Sequence, residues 1–230
     1  MTPAVRLIIY VNVAAFFLTF FSPRFFVEFF GLVPKDVLER LWAWQLVSYL
    51  FIHDPGGVMH VLFNMLAVWM FGVELERRWG SPAFLRFYFI TGVGAGIVTV
   101  LVSLLPFSAV SHIYGLPTIG ASGAVYGLIL AWALIFPQRQ VLFMMMFPLP
   151  ARTFAFILGA MSFLFAASGR NGGVAEATHL AGLLIAYLYL KGPTNLRLEL
   201  KYRLTKWRMD RMRRKFGVHQ GGRRDKPWVH

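Results

Sequence analysis

Four polar side chains stand out in this 230-residue chain because the residues around them are almost all apolar. Ser122 lies in Gly120-Ala121-Ser122-Gly123. His60 and Asn64 are four apart, hence on one face of a helix. His179 follows Thr178 in a third apolar stretch. A hydroxyl, an imidazole and a His/Asn pair are the parts needed for acyl transfer. Serine supplies the nucleophile, one histidine the base, and the His/Asn pair can donate to an oxyanion. Gly120 and Gly123 leave room for another backbone to approach and expose the hydroxyl. Plainer readings stand beside this one. Gly120-x-x-x-Ala124 and Gly123-x-x-x-Gly127 are small-residue packing patterns in which a serine is filler. His60 and Asn64 can serve as an interhelical hydrogen bond.

The elements that must position these residues follow from composition. The chain is 57% hydrophobic and 14% charged, with mean hydropathy +0.59, 23 Phe and no cysteine. A soluble domain of this size has too much surface to hide so many apolar side chains, and a disordered chain would have too few. The cysteine count excludes a disulfide scaffold and a thiolate metal site. The solvent that suits the chain is a bilayer. Its net charge of +13 is not a nucleic-acid signal, because 13 of the 23 Lys/Arg fall from Lys191 onward and no nucleic-acid motif accompanies them. The chain divides into a membrane body, residues 1–191, and a basic tail, residues 192–230. The tail is expected on the inner leaflet, where Leu196, Leu198, Leu200, Leu204, Trp207 and Met209 alternate with cations that attract anionic headgroups.

A spanning helix needs about 20 mostly apolar residues. Six segments are expected to span: Val5 to Phe21, Gly57 to Val73, Pro82 to Leu105, Ile119 to Phe136, Ala151 to Ala167 and Val174 to Leu190. The fold class is thus an all-α polytopic membrane bundle of six transmembrane helices. The fourth and sixth, rich in Gly and Ala, suit central positions. The first segment lacks the basic start and small-residue cleavage site of a signal peptide. With both termini in the cytoplasm, inner segments hold 19 Lys/Arg and outer loops hold four, which satisfies the positive-inside rule. The long outer loop from Ser22 to Gly56, carrying Trp42, Trp44 and Tyr49, reads as short amphipathic helices embedded in the outer leaflet.

This direction places the polar residues. The second, fourth and sixth segments all run inward, and His60, Ser122 and His179 lie within roughly 10 Å of their outer ends. Three unconnected segments thus bring polar groups to one depth. A histidine metal site from His53, His60 and His179 is the weaker alternative, lacking a carboxylate; no metal or cofactor is expected. A transporter would show charged midplane residues or paired broken helices, and neither is visible.

At this point the chain resembles the rhomboid intramembrane serine proteases, from about Trp44 to Leu190. Gly120-Ala121-Ser122-Gly123 is similar to the family's GxSG nucleophile motif, and His60-Val-Leu-Phe-Asn64 to its HxxxN oxyanion pair. His179-Leu-Ala-Gly182 resembles the His-x-x-Gly of the last core span, and Glu76-Arg-Arg-Trp-Gly80 the family's Glu-x-x-x-Gly signature. Tyr126 matches the tyrosine that packs on the catalytic histidine. Gln45 stands where many members have Arg after Trp, Ala186 where a second Gly is usual, and His53 lies seven rather than five residues before His60. The resemblance implies a Ser122–His179 dyad, with no acid placed to orient His179. His60, Asn64 and the Ser122 backbone N–H would form the oxyanion hole. It also implies single-span membrane-protein substrates and entry past a mobile fifth span. A compact six-span chain without organelle targeting suggests a prokaryotic inner membrane, and the span direction puts the site near its outer face. The glycine-rich loop Ser168-Gly169-Arg170-Asn171-Gly172-Gly173 reads as a cap over it. A non-catalytic scaffold or escort protein is the competing reading, distinguished by indifference to loss of Ser122.

Overall fold

The computed structural model describes residues 1–106, 112–143, 146–168, 173–192 and 204–212. The chain forms two compact units, Met1–Leu190 and Lys191–His230. In the second, residues 204–212 form an exposed helix. Leu196, Leu198 and Leu200 of the tail lie outside the described residues, as do Gly169, Arg170, Asn171 and Gly172 of the expected cap.

The first unit is a helical bundle. Its long helices are α1 (Pro3–Phe21), α5 (Val58–Trp79) and α6 (Ser81–Ser103), followed by α7 (Ser122–Ile135), α8 (Ala151–Ala167) and α9 (Gly173–Lys191). Among the described residues, α1, α5 and α6 are long and apolar enough to cross a membrane; α7 and α8 are apolar but shorter, at 14 and 17 residues. Proline opens α1 and α6 near the N1 position, where its missing N–H costs nothing. Gly80, at φ +80°, ends α5 and hands the chain directly to α6.

α7 packs against α5, α6 and α8 and is the most buried helix. Leu128, Ala124 and Ala131 are fully enclosed, as the Gly/Ala content of this segment leads one to expect. The same expectation holds only in part for α9. Ala181 and Ala186 are buried, but Leu184, Tyr187, Leu188 and Tyr189 are exposed. One face of α9 therefore meets lipid, because its small residues cluster on the other.

The outer loop folds into α2 (Pro23–Phe30), α3 (Pro34–Glu39), α4 (Gln45–Ser48) and a 3₁₀ turn, Tyr49–Phe51. Its aromatic residues stack together, with Trp42 and Trp44 rings 5.2 Å apart. Gln45 is fully buried. Its Oε1 accepts from the Val33 N–H at 3.0 Å, and its Nε2 donates to the Glu28 carbonyl at 3.2 Å. A neutral amide thus pins the loop. The Tyr49 hydroxyl donates to the Gly92 carbonyl at 2.7 Å and fastens the loop to α6.

At the other end of α5 the buried Glu76 carboxylate collects donors. The N–H groups of Ala4 and Val5 each approach to 2.9 Å, the Ser81 hydroxyl to 2.6 Å, and the Thr2 hydroxyl also bonds it. These satisfy the free N–H groups at the start of α1 and lock α1 to α5. Glu74 accepts from Trp132 Nε1 at 2.7 Å and pairs with Arg139. A two-stranded hairpin follows α7, β1 (Gln140–Phe143) antiparallel to β2 (Phe147–Pro150). The apolar run there shows no strand signal distinct from helix, and the sequence reading missed it.

Candidate active site

The fourth expected segment starts later than its hydropathy suggests. Thr118 pairs with Leu32 as an isolated antiparallel bridge, with N–H···O bonds of 2.9 and 2.8 Å, and the Gly120 N–H donates to the Tyr49 carbonyl at 2.9 Å. The chain from Thr118 to Ala121 is therefore tied to the outer loop, and the helix begins at Ser122 rather than Ile119. Hydropathy cannot register this, because Ile119 and Ala121 are as apolar as the helix. The consequence is chemical. As the first residue of α7, Ser122 has a backbone N–H with no acceptor one turn behind it.

Gly120 takes φ +108°, a backbone that side-chain-bearing residues rarely adopt. A Cβ built there would sit 2.7 Å from His60 Nε2. The close approach inferred from the glycines is real, but at Gly120 an imidazole makes it. Backbone meets backbone at the second glycine pair. A Cβ on Gly182 would lie 2.0 Å from the Gly123 carbonyl oxygen. The α7–α9 crossing thus falls one residue after Ser122 and three residues after His179. A bond between Thr99 and Thr178 hydroxyls, at 2.8 Å, ties α9 to α6 at the same level.

His60, Asn64, Ser122, Tyr126 and His179 line one cleft of about 1150 Å³. It runs along α5 from Asp54 and His60 to Met70 and Phe71, bounded by α7, Phe154 and Leu158 of α8, and the β1 residues Val141 to Phe143. Polar groups gather at its Asp54 end, and the rest of the wall is mostly apolar. Asn64 Nδ2 donates back to the His60 carbonyl at 2.8 Å, leaving its second N–H for another acceptor, while its Oδ1 is buried without a partner. The Tyr126 ring stacks on the His179 imidazole, with centroids 4.2 Å apart and planes 5° from parallel. The Ser162 hydroxyl of α8 donates to Tyr126 Oη at 3.2 Å.

Two residues were not read as part of the site from sequence. His53, fully buried, packs edge-on to His60 at 5.0 Å and accepts from the Ala121 N–H at 3.5 Å. Burial, then the neighbouring His60, lowers its pKa to about 4, so it is a neutral support behind His60. The second is Glu176. Its Oε2 lies 3.1 Å from His179 Nδ1. The expectation that no acid stands beside His179 is therefore corrected. Glu176 precedes His179 by three residues, so helical spacing puts them on one face; the signal was present in the sequence.

A family model for the Rhomboid domain matches residues 40–192. The chain belongs to the rhomboid family and is an integral membrane protein of the helical-bundle type. It is 26% identical over 165 residues to Rhomboid protein 1, mitochondrial, of Saccharomyces cerevisiae, covering 71% of this chain and 45% of that one. It is 35% identical over 99 residues to RHOMBOID-like protein 4 of Arabidopsis thaliana, covering 43% and 22%. Against Rhomboid protease GluP of Bacillus subtilis it is 26% identical over 155 residues, covering 67% and 27%. The chain spans less than half the length of these curated relatives.

Proposed function

We propose that this protein is an intramembrane serine protease that hydrolyses a peptide bond in or near the transmembrane segment of a membrane-protein substrate. The observation that carries the reading is the convergence of Ser122, His179, His60 and Asn64 on one cleft from three helices.

In the mechanism, Ser122 Oγ attacks the scissile carbonyl carbon. His179 takes the hydroxyl proton and later delivers it to the leaving amine. The oxyanion forms beside the Ser122 N–H, the free Asn64 N–H and the His60 imidazole; each donor of this kind is worth about 10²–10³ in rate. Tyr126 holds the His179 ring in plane by stacking. Water for deacylation enters at the Asp54 end, where the cleft is polar.

The apolar length of the cleft suits a substrate helix. From His60 to Phe71 it is roughly 16 Å long at 1.5 Å per residue, and α8 forms its outer wall. α8 buries only Ala151, Ala155 and Ser162, while Phe156, Phe163, Leu164 and Phe165 face outward. A helix with so little buried apolar surface is the element that yields to admit a substrate. The termini face the cytoplasm by the positive-inside rule, in a prokaryotic inner membrane, with the site toward the outer side.

The test is cleavage of a reporter span by the purified chain in lipid, with covalent fluorophosphonate labelling of Ser122. Ser122→Ala and His179→Ala should each abolish both while the protein still inserts. Cleavage by Ser122→Ala at the wild-type rate refutes the assignment, and a wild type that neither cleaves nor labels favours the scaffold reading.

A further inference from the structure

We propose, building on the protease reading above, that Glu176 is a positioning residue for His179, fixing which ring nitrogen carries the proton and how the ring is aimed. The carboxylate accepts from Nδ1 across 3.1 Å, and both side chains are largely enclosed, 15% exposed for His179 and 18% for Glu176. An ionised carboxylate can only accept, so Nδ1 must donate. That leaves Nε2 with its lone pair as the nitrogen able to take the Ser122 proton.

The ring is constrained in two further ways. Tyr126 covers one face in near-parallel stacking, which sets the plane of the imidazole. The in-plane angle is left free by stacking, and the Glu176 contact sets it. Ser162 of α8 bonds Tyr126 Oη, so the stacked ring is itself braced from α8. Among the described residues, the other titratable groups that face the pair are His60 of α5, with Asp54 beyond it, and Tyr126 itself.

The proton inventory is simple. Ser122 Oγ loses its proton to Nε2 as the Oγ–carbon bond forms, Nδ1 keeps its own, and Glu176 stays ionised throughout. The imidazolium so formed lies against a negative charge, and it is neutralised when Nε2 protonates the leaving amine. Glu176 touches neither substrate nor reacting atoms, so its effect must appear in the chemical step.

Two variants of the full chain test this. Glu176→Leu removes the acceptor at similar volume, and Glu176→Gln keeps an acceptor oxygen without the charge. With a reporter span, Glu176→Leu should lower kcat about 100-fold with KM within about twofold, the size expected for disabling a general base. Fluorophosphonate labelling of Ser122 should slow in parallel, and Glu176→Gln should recover to about a tenth of the wild-type kcat. Wild-type kcat in Glu176→Leu overturns the proposal, as does an equal loss in both variants accompanied by a lower unfolding midpoint, the mark of a packing role. If Glu176→Leu does not fold, Glu176→Gln decides: kcat must fall at unchanged KM, and an unchanged kcat refutes the role. A wild type without cleavage or labelling refutes the protease reading itself, whereas an active wild type with an unimpaired Glu176→Leu refutes only the positioning role.

Discussion

The substitution Gly182→Ala tests the geometry of the site most directly, because it acts on backbone rather than on a reactive group. The added Cβ would lie 2.0 Å from the Gly123 carbonyl oxygen, 2.9 Å from its carbon and 3.2 Å from its Cα. All three atoms are main chain on the next helix, so no rotamer change relieves the clash. Ordinary van der Waals contact for a Cβ begins at 3.4 Å, so α7 and α9 must part by more than 1 Å. Forcing an extra methyl group into a packed interior costs about 1–3 kcal/mol. The catalytic cost is larger, since Ser122 and His179 flank this crossing on opposite helices, and a 1 Å misplacement costs about 10²-fold in rate. Gly182→Ala should therefore lower reporter cleavage and Ser122 labelling about 100-fold while the unfolding midpoint drops by only a few degrees. The control is Gly159→Ala, whose Cβ would meet only the Leu183 Cδ1 at 3.2 Å, an atom able to turn away. That variant should keep near-normal rates. Cleavage by Gly182→Ala within twofold of wild type, at an unchanged midpoint, would show that the two helices are not held in register by this contact.

Two further predictions concern stability. Glu76→Ala strands the N–H groups of Ala4 and Val5 and the hydroxyls of Thr2 and Ser81; a loss of about 3 kcal/mol is expected from unmet buried donors. Limited proteolysis should then cut near the start of α1, and an undiminished unfolding free energy would refute the locking role. His53, with its pKa lowered to about 4 from an ordinary 6.5 by burial and by His60, takes up its proton more readily unfolded than folded. Its contribution is complete above about pH 6.5 and is lost as the pH falls toward 4, about 3 kcal/mol in all. Unfolding midpoints in lipid or detergent should fall over that window in the wild type. They should fall less in His53→Gln, which keeps an acceptor for the Ala121 N–H but does not titrate; parallel pH slopes would count against the assignment.

Much of the protein is legible in its sequence. Composition alone demands a bilayer, since no fold of 230 residues can enclose that apolar surface in water. The few polar residues inside apolar runs are costly there, so their identities mark the site before any contact is known. Ser122, His60, Asn64 and His179 are the proposed site on this ground, and the glycines beside them announce a close approach. The bounds of α8 agree with its hydropathy because Pro150 and Ser168 flank a mostly apolar stretch.

Tertiary contacts decided what hydropathy cannot encode. The first residue of α7 is set by hydrogen bonds from Thr118 and Gly120 to the outer loop, so Ser122 acquires an unpartnered N–H that no local propensity foretells. Gln45 takes over the anchoring of that loop because its amide can both donate and accept, which a residue count could not reveal. The contact between Gly182 and Gly123, and that between Gly120 and the His60 ring, depend on helices far apart in sequence. Glu176 is the intermediate case. Its spacing from His179 was available in one dimension, but only the packed helix, with Tyr126 on the ring and Ser162 behind, turns a nearby acid into a group aimed at one nitrogen. Sequence supplies the chemical types and their depth through the energetics of burial. Their relative orientation arises from long-range packing, where backbone contacts and buried hydrogen bonds between distant segments select one arrangement.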